Sequence, residues 1–133
     1  MSDFYLEKRI YYHDTDCGGV VYYATYLDHL EEARTEYMRK RLVDVKEYAA
    51  KGVLFAVVHL EADYKCPARY GEMIKISAKI KTIGNASIHF AQEVKKGDVL
   101  LIKAKVVLAC IDNSMKARRI PEEMKEKLSI DDK

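Results

Sequence analysis

From Arg9 the chain runs Arg9-Ile10-Tyr11-Tyr12-His13-Asp14-Thr15-Asp16-Cys17-Gly18-Gly19-Val20-Val21-Tyr22-Tyr23. Two carboxylates, Asp14 and Asp16, stand in a glycine-containing loop directly before a stretch of helical spacing. An aspartate is ionised at neutral pH, so one placed here can attack an electrophile or take a proton from water. Gly18 and Gly19 permit positive φ and a close approach by a ligand. The first N–H groups of a helix lack internal partners and carry partial positive charge. Aimed at a carbonyl oxygen, they stabilise a developing oxyanion. The same residues also fit a structural role, because an Asp before a helix is commonly an N-cap. Asp14 suits a loop-shaping Asx turn.

The elements that must position this loop follow from periodicity. Residues 4–12 mix aromatics with charges and predict a strand. Tyr23, Tyr26, Leu27, Leu30, Ala33, Tyr37 and Met38 form the stripe of an amphipathic helix over about 22–40. A shorter helix is expected over 45–51, stopped by Gly52. The period then becomes two. Val58, Leu60, Ala62 and Tyr64 share one phase, as do Ile74, Ile76, Ala78 and Ile80, and Ile88, Phe90, Gln92 and Val94. Val99 to Ile111 gives a long strand. Gly84-Asn85 and Gly97-Asp98 signal tight hairpins, and Pro67 to Gly71 a longer connection. Pro121 opens a short helix over 122–128, and the tail from Ser129 is expected to fray. Alternating strands must bury one face, and the long helix has the matching stripe. The expectation is an α+β fold, one domain over residues 1–133, with a curved five-stranded antiparallel sheet wrapped around one long helix. Strands this long leave edges that invite pairing with a second copy, which predicts a homo-oligomer.

Composition narrows the function classes. The 133 residues are 49% hydrophobic and 33% charged, which argues against wholesale disorder. The net charge of +2, without a basic and aromatic strip, argues against capture of nucleic acid. Apolar runs reach only six residues, at 53–58 and 106–111, far short of a membrane span. Met1-Ser2-Asp3 and the early charges carry no apolar signal core. Cys17, Cys66 and Cys110 are odd in number and widely spaced. They predict neither a disulfide framework nor a zinc site, and a reducing cytoplasmic home. His13, His29, His59 and His89 show no ligand spacing, so no metal is expected. Neither a Gly-x-Ser-x-Gly elbow nor a phosphate-binding Gly-rich loop is present.

The run from Tyr12 to Leu27, continued at Glu31-Glu32-Ala33-Arg34-Thr35-Glu36, resembles the signature of the small hotdog-fold acyl-CoA thioesterases. This is the 4-hydroxybenzoyl-CoA thioesterase-like group, which includes the bacterial branch associated with the Tol–Pal genes. The likeness is dense over residues 9–38. It resumes at Tyr64-Lys65-Cys66-Pro67-Ala68-Arg69-Tyr70-Gly71-Glu72. It implies a hotdog fold paired edge to edge, as a homodimer or homotetramer, and hydrolysis of short- or medium-chain or aromatic acyl-CoA without a cofactor. By position, Asp16 matches the family's catalytic carboxylate and the backbone N–H of Tyr23 its oxyanion donor. Many members of the Tol–Pal branch carry His where this chain has Tyr23, so that side-chain role does not transfer. Gly18, Gly19 and Val20 are expected to admit the thioester. His59 is a candidate for the acyl pocket, its bland alternative being a partly exposed strand histidine. A helical Glu is catalytic in another hotdog branch. Here Glu31 more simply pairs with Arg34 at i+3, and Tyr22 and Tyr26 more simply pack.

Coenzyme A carries phosphates, which call for Lys or Arg. Arg69 is a candidate, with Lys65, Lys103, Lys105, Arg118 and Arg119 beside it. The 4-hydroxybenzoyl-CoA enzyme has a basic cluster in a hairpin that here reads Ile83-Gly84-Asn85-Ala86-Ser87, with no base. A second class of function is a non-catalytic module that binds acyl-CoA or acyl-carrier protein. Such a module has no use for an ionised carboxylate beside a thioester. A hotdog dehydratase would use a His–Asp pair. The adjacent His13-Asp14 fits poorly, because successive strand side chains point to opposite faces.

Overall fold

The structure, a computed structural model, describes residues 4–129. Met1-Ser2-Asp3 and residues 130–133 of the expected fraying tail lie outside the described residues. β1 (Tyr5–Arg9) leads through a 3-10 turn (Tyr12–Asp14) to α1 (Thr25–Lys40) and α2 (Val45–Ala50). There follow β2 (Leu54–Tyr64), β3 (Met73–Ser77), β4 (Lys79–Ile83), β5 (Ser87–Lys96), β6 (Val99–Ile111) and α3 (Glu122–Leu128). The strands form one antiparallel sheet in the order β1-β3-β5-β6-β2, with β4 also paired to β5. α1 packs on β1 and β3, which gives the expected α+β layout of helix against sheet.

Six strands stand where five were expected. The single strand read around residues 74–81 breaks at Ala78 into β3 and β4. Side chains replace part of the ladder there. Glu93 N–H donates to Ser77 Oγ at 2.9 Å, and Gln92 Nε2 donates to Ser77 O at 3.1 Å. A local break of this kind bends a strand.

The core stripe of α1 also differs from the expected one. Its buried residues are Tyr26, His29, Leu30, Ala33, Arg34, Tyr37 and Met38, spaced three, one, three, one, three, one. Leu27 is exposed, and Tyr23 is 62% exposed. Tyr23 precedes the helix, because Tyr22 N–H is tied back to Asp14 O at 3.0 Å and α1 starts only at Thr25. Two polar side chains therefore enter the core, and polar partners meet them. Arg34 Nη1 donates to Gln92 Oε1 at 3.0 Å, and Gln92 Nε2 also donates to Leu30 O at 3.0 Å. The expected Glu31–Arg34 pair is not a contact ion pair, although the Glu31 charge still opposes the downward push of burial on Arg34. Glu31 Oε2 accepts from Thr35 Oγ1 instead.

The sheet phases of β3 and β5 are as expected: Ile74, Ile76, Ile88, Phe90, Gln92 and Val94 are all buried. Full burial of one such aliphatic or aromatic side chain contributes roughly 1.5–3 kcal/mol. β2 behaves otherwise. It lies at the sheet's edge, bonded among the described residues only to β6, and carries an irregularity between Val57 and His59. Val57, Val58, Leu60 and Tyr64 are exposed in the chain. Among the described residues no helix is long and apolar enough to cross a membrane.

Candidate active site

Asp16 opens a small hairpin. Its N–H donates to Val20 O at 2.9 Å, and its carbonyl accepts from Gly19 N–H at 3.1 Å. Thr15 and Val21 form a bridge just inside it. The chain turns through Cys17, Gly18 and Gly19, and the backbone requires a glycine at Gly19. Gly19 has φ +81°, a left-handed conformation that side chains resist. At Gly18 a Cβ would lie 3.2 Å from Asp16 Oδ1. With no side chain there, Gly18 N–H reaches that same Oδ1 at 2.8 Å. Asp16 is thus an exposed carboxylate with one oxygen held and the other free of protein partners among the described residues.

Asp14, two residues earlier, is 5% exposed. Its Oδ2 accepts from Tyr11 N–H at 2.8 Å, and its carbonyl accepts from Tyr22 N–H at 3.0 Å. Its Oδ1 lies 3.6 Å from His29 Nε2 and 3.5 Å from His13 Nδ1. His29 is 2% exposed, and its Nδ1 has no partner among the described residues. Burial pushes the His29 imidazole below the ordinary histidine range. Lys8 pushes the same way, and Asp14 and Glu32 oppose it. His29 is therefore neutral at pH 7. Along the chain this histidine shows only that it lacks metal-ligand spacing. The missed signal was its position three residues after Tyr26, inside the core stripe of the helix.

The approach to α1 leaves donors unused. Thr25 N–H donates to Tyr22 O at 2.9 Å and Leu27 N–H to Ala24 O at 3.1 Å. The Tyr23 and Ala24 amides have no acceptor among the described residues. The N-cap is Ala24, which has no side chain to cap with. Ser, Thr, Asp or Asn would ordinarily stand there, and their absence costs about 1 kcal/mol. Tyr64, at the end of β2, donates from its hydroxyl to Tyr23 O at 3.2 Å. Its ring meets Tyr23 edge-on, with centroids 6.3 Å apart.

The segment after β2 straps onto the hairpin. Val20 bridges Arg69, and Val21 N–H donates to Ala68 O at 2.9 Å. Ala68 N–H in turn donates to the buried Tyr26 hydroxyl at 3.1 Å, so Tyr26 packs as expected. Gly18, Gly19, Val20 and Arg69 therefore gather around the Asp16 hairpin. His59 does not join them. It stands exposed on β2, with Nε2 2.9 Å from Glu61 Oε2. The turn at Gly84-Asn85-Ala86 has no base of its own, but it is covered by the chain that carries Arg118 and Arg119. Ile120 N–H donates to Asn85 O, and Cys110 N–H to Ala86 O, both at 2.8 Å.

Residues 11–128 match the thioesterase-like superfamily. The acyl-CoA thioester hydrolase YbgC of Escherichia coli O6:H1 is 37% identical over 116 residues, 86% of this chain and 87% of that protein. The acyl-CoA thioesterase YbgC of Haemophilus influenzae is 36% identical over 131 residues, 93% of each chain. Among solved structures, a probable thioesterase from Bartonella henselae superposes with a TM-score of 0.85 at 31% identity, covering 90% of this chain and all of that one. A 4-hydroxybenzoyl-CoA thioesterase complexed with 4-hydroxybenzoyl-CoA shares the fold, with a TM-score of 0.88 at 24% identity over 96% of this chain and 99% of the other. Likeness of this breadth, in sequence and in fold, makes the chain a member of the thioesterase-like superfamily.

Proposed function

We propose that this protein hydrolyses the thioester of short- or medium-chain or aromatic acyl-CoA to the free acid and CoA, with Asp16 as the reacting carboxylate. The observation that supports this most directly is the exposed Asp16, held through one oxygen, on a hairpin that runs into unpartnered amides at Tyr23 and Ala24. The names of the Escherichia coli and Haemophilus influenzae relatives point the same way. In the reaction, an oxygen nucleophile adds to the thioester carbonyl and charge develops on the carbonyl oxygen. The Tyr23 amide donates to that oxygen. The C–S bond then breaks, and the CoA thiolate takes up the proton released from water. Asp16 acts either as base toward water or as nucleophile through its free oxygen. Label found in Asp16 after single turnover in 18O-labelled water identifies the nucleophilic path, in which water opens the mixed anhydride at the Asp16 carboxyl carbon; label found only in the product acid is common to the base path and to water attack at the acyl carbon.

Gly18, Gly19 and Val20 admit the thioester in this reading, and Arg69, Arg118 and Arg119 offer charge for the coenzyme phosphates. The reading also includes a homodimer paired through β2, alone or within a tetramer. Support comes from an 11-residue edge strand with exposed Val57, Val58 and Leu60, an edge that natural sheets otherwise blunt. His59 would then lie at the subunit boundary. Three cysteines outside any disulfide fit a reducing cytoplasm. Acyl-carrier protein is the second donor of the same thioester, and comparing kcat/KM for the two donors ranks them.

The test is thiol release from a panel of aliphatic and aromatic acyl-CoAs by the native protein and by Asp16→Asn. Native turnover that falls a hundredfold or more in the variant, with size and folding kept, is the expected result. Full activity in Asp16→Asn would overturn the role of Asp16. Binding without hydrolysis by both proteins would make the chain a binding module. Light scattering on Val58→Lys/Leu60→Lys tests the β2 interface, with a monomer expected.

A further inference from the structure

We infer that Tyr64 is a positioning residue for the oxyanion-binding amides, acting through its hydroxyl on the carbonyl of Tyr23. The inference rests on the acyl-CoA hydrolysis proposed above and assigns that site one more residue. Two observations carry it. The amides of Tyr23 and Ala24, the donors of the proposed reaction, have no acceptor among the described residues. Each belongs to a peptide unit whose carbonyl is already engaged. A peptide is planar and trans, so holding its carbonyl sets where the N–H on the same unit points. The Tyr22–Tyr23 unit is held by Thr25 N–H, which donates to Tyr22 O at 2.9 Å. The Tyr23–Ala24 unit has no main-chain donor on its carbonyl among the described residues. Its donor is the Tyr64 hydroxyl, at 3.2 Å.

The α1 N-terminus therefore has one free amide backed by main chain and one backed by a side chain from the far end of β2. Donation into a carbonyl also polarises the amide and strengthens its own N–H as a donor. Tyr64 is well suited to give its proton and keep it. Burial and the neighbouring Tyr23 both raise its phenol above the ordinary tyrosine range. Edge-on contact with Tyr23 and a tilted contact with Tyr26, centroids 6.0 Å apart, hold the ring in place. Removing the hydroxyl alone leaves both ring contacts available. The Ala24 amide thus becomes a second oxyanion donor beside that of Tyr23, and Tyr64 is the residue that aims it.

The experiment compares native protein, Tyr64→Phe and Asp16→Asn in steady-state hydrolysis of one acyl-CoA. A further double variant, Asp16→Asn with Tyr64→Phe, serves spectroscopy. The expected result for Tyr64→Phe is a three- to tenfold fall in kcat with KM within twofold, since one neutral hydrogen bond is worth about that factor in rate. The infrared stretch of a carbonyl-labelled acyl-CoA bound to Asp16→Asn is expected to move to higher frequency when Tyr64→Phe is added. A ring that only packs would move neither. Unchanged kcat together with an unchanged stretch overturns the inference, as does a loss confined to KM. If the native protein hydrolyses nothing, the proposed function fails first. If it hydrolyses and Asp16→Asn does not, an inert Tyr64→Phe counts against this inference alone.

Discussion

The Asp16 hairpin and the seat beneath it sit two residues apart and obey opposite rules. At the tip, Asp16 is exposed and one backbone amide holds it. At the base, Asp14 is buried, ties Tyr11 and Tyr22 together and faces His29 from inside the core. A carboxylate that reacts must keep an oxygen free and reachable. A carboxylate that builds must satisfy its oxygens, because an unpaired buried charge is costly. Two aspartates of identical chemistry are thus divided by environment alone. The buried one carries the geometry on which the exposed one depends.

The comparison breaks most visibly at the base. Asp14→Ala removes the acceptor of Tyr11 N–H and the neighbour of His29, and should lower stability by about 2–3 kcal/mol in urea unfolding, with activity falling as well. A loss under 0.5 kcal/mol would remove Asp14 from its structural role. Gly19→Ala is expected to cost about 1–2 kcal/mol, from the left-handed backbone alone, since nothing crowds an added Cβ there. Gly18→Ala is the complementary change, for its Cβ meets Asp16 Oδ1. Its activity should suffer more than its melting temperature, and the reverse order would mean that the turn rather than the carboxylate needs this glycine.

His29 sharpens the comparison through pH. Its folded-state pKa lies below the unfolded value, so the neutral form contributes its stability above the ordinary histidine pKa. As pH falls below about 6.5 the unfolded chain binds the proton first. Stability then drops, at up to about 1.4 kcal/mol per pH unit, until the folded-state pKa is reached. His29→Phe should flatten that part of the stability-versus-pH curve. The charged and titratable groups facing His29 are Asp14, His13, Lys8 and Glu32, and a slope that survives in His29→Phe would remove His29 as its source. The smallest expected effect belongs to the tip. Asp16→Asn should shift unfolding stability by no more than about 0.5 kcal/mol, even though it is the substitution expected to abolish turnover. A large destabilisation would turn Asp16 back into a structural turn residue.

Much of this arrangement was legible along the chain. Helical spacing placed α1 to within three residues at its start and met its end at Lys40. Period-two alternation gave β3 and β5 their buried faces. The Gly18-Gly19 pair marked the turn that presents Asp16. These features are local: they depend on residues within one or two turns of each other, and backbone sterics and hydrophobic period act at that range. The departures join residues that are farther apart along the chain. The Ala78 break is supported by Gln92 and Glu93 on the neighbouring strand. The start of α1 moved because Asp14 O captured Tyr22 N–H. Arg34 donates its hydrogen bond to Gln92, 58 residues away, and not to Glu31 at i−3.

The sequence by itself determined the class of the fold, the glycine-containing loop that carries Asp16 and the kinship with the thioesterases, because period, turn residues and a dense motif are all written in neighbouring letters. Only the tertiary structure decided which of the two aspartates is buried, that His29 lies neutral beside it, that Tyr64 reaches the carbonyl of Tyr23, and that the apolar phase of β2 remains uncovered within one chain. Each of those facts joins residues far apart along the chain or depends on what covers a surface, and side-chain burial and pairing exist only once the elements have packed.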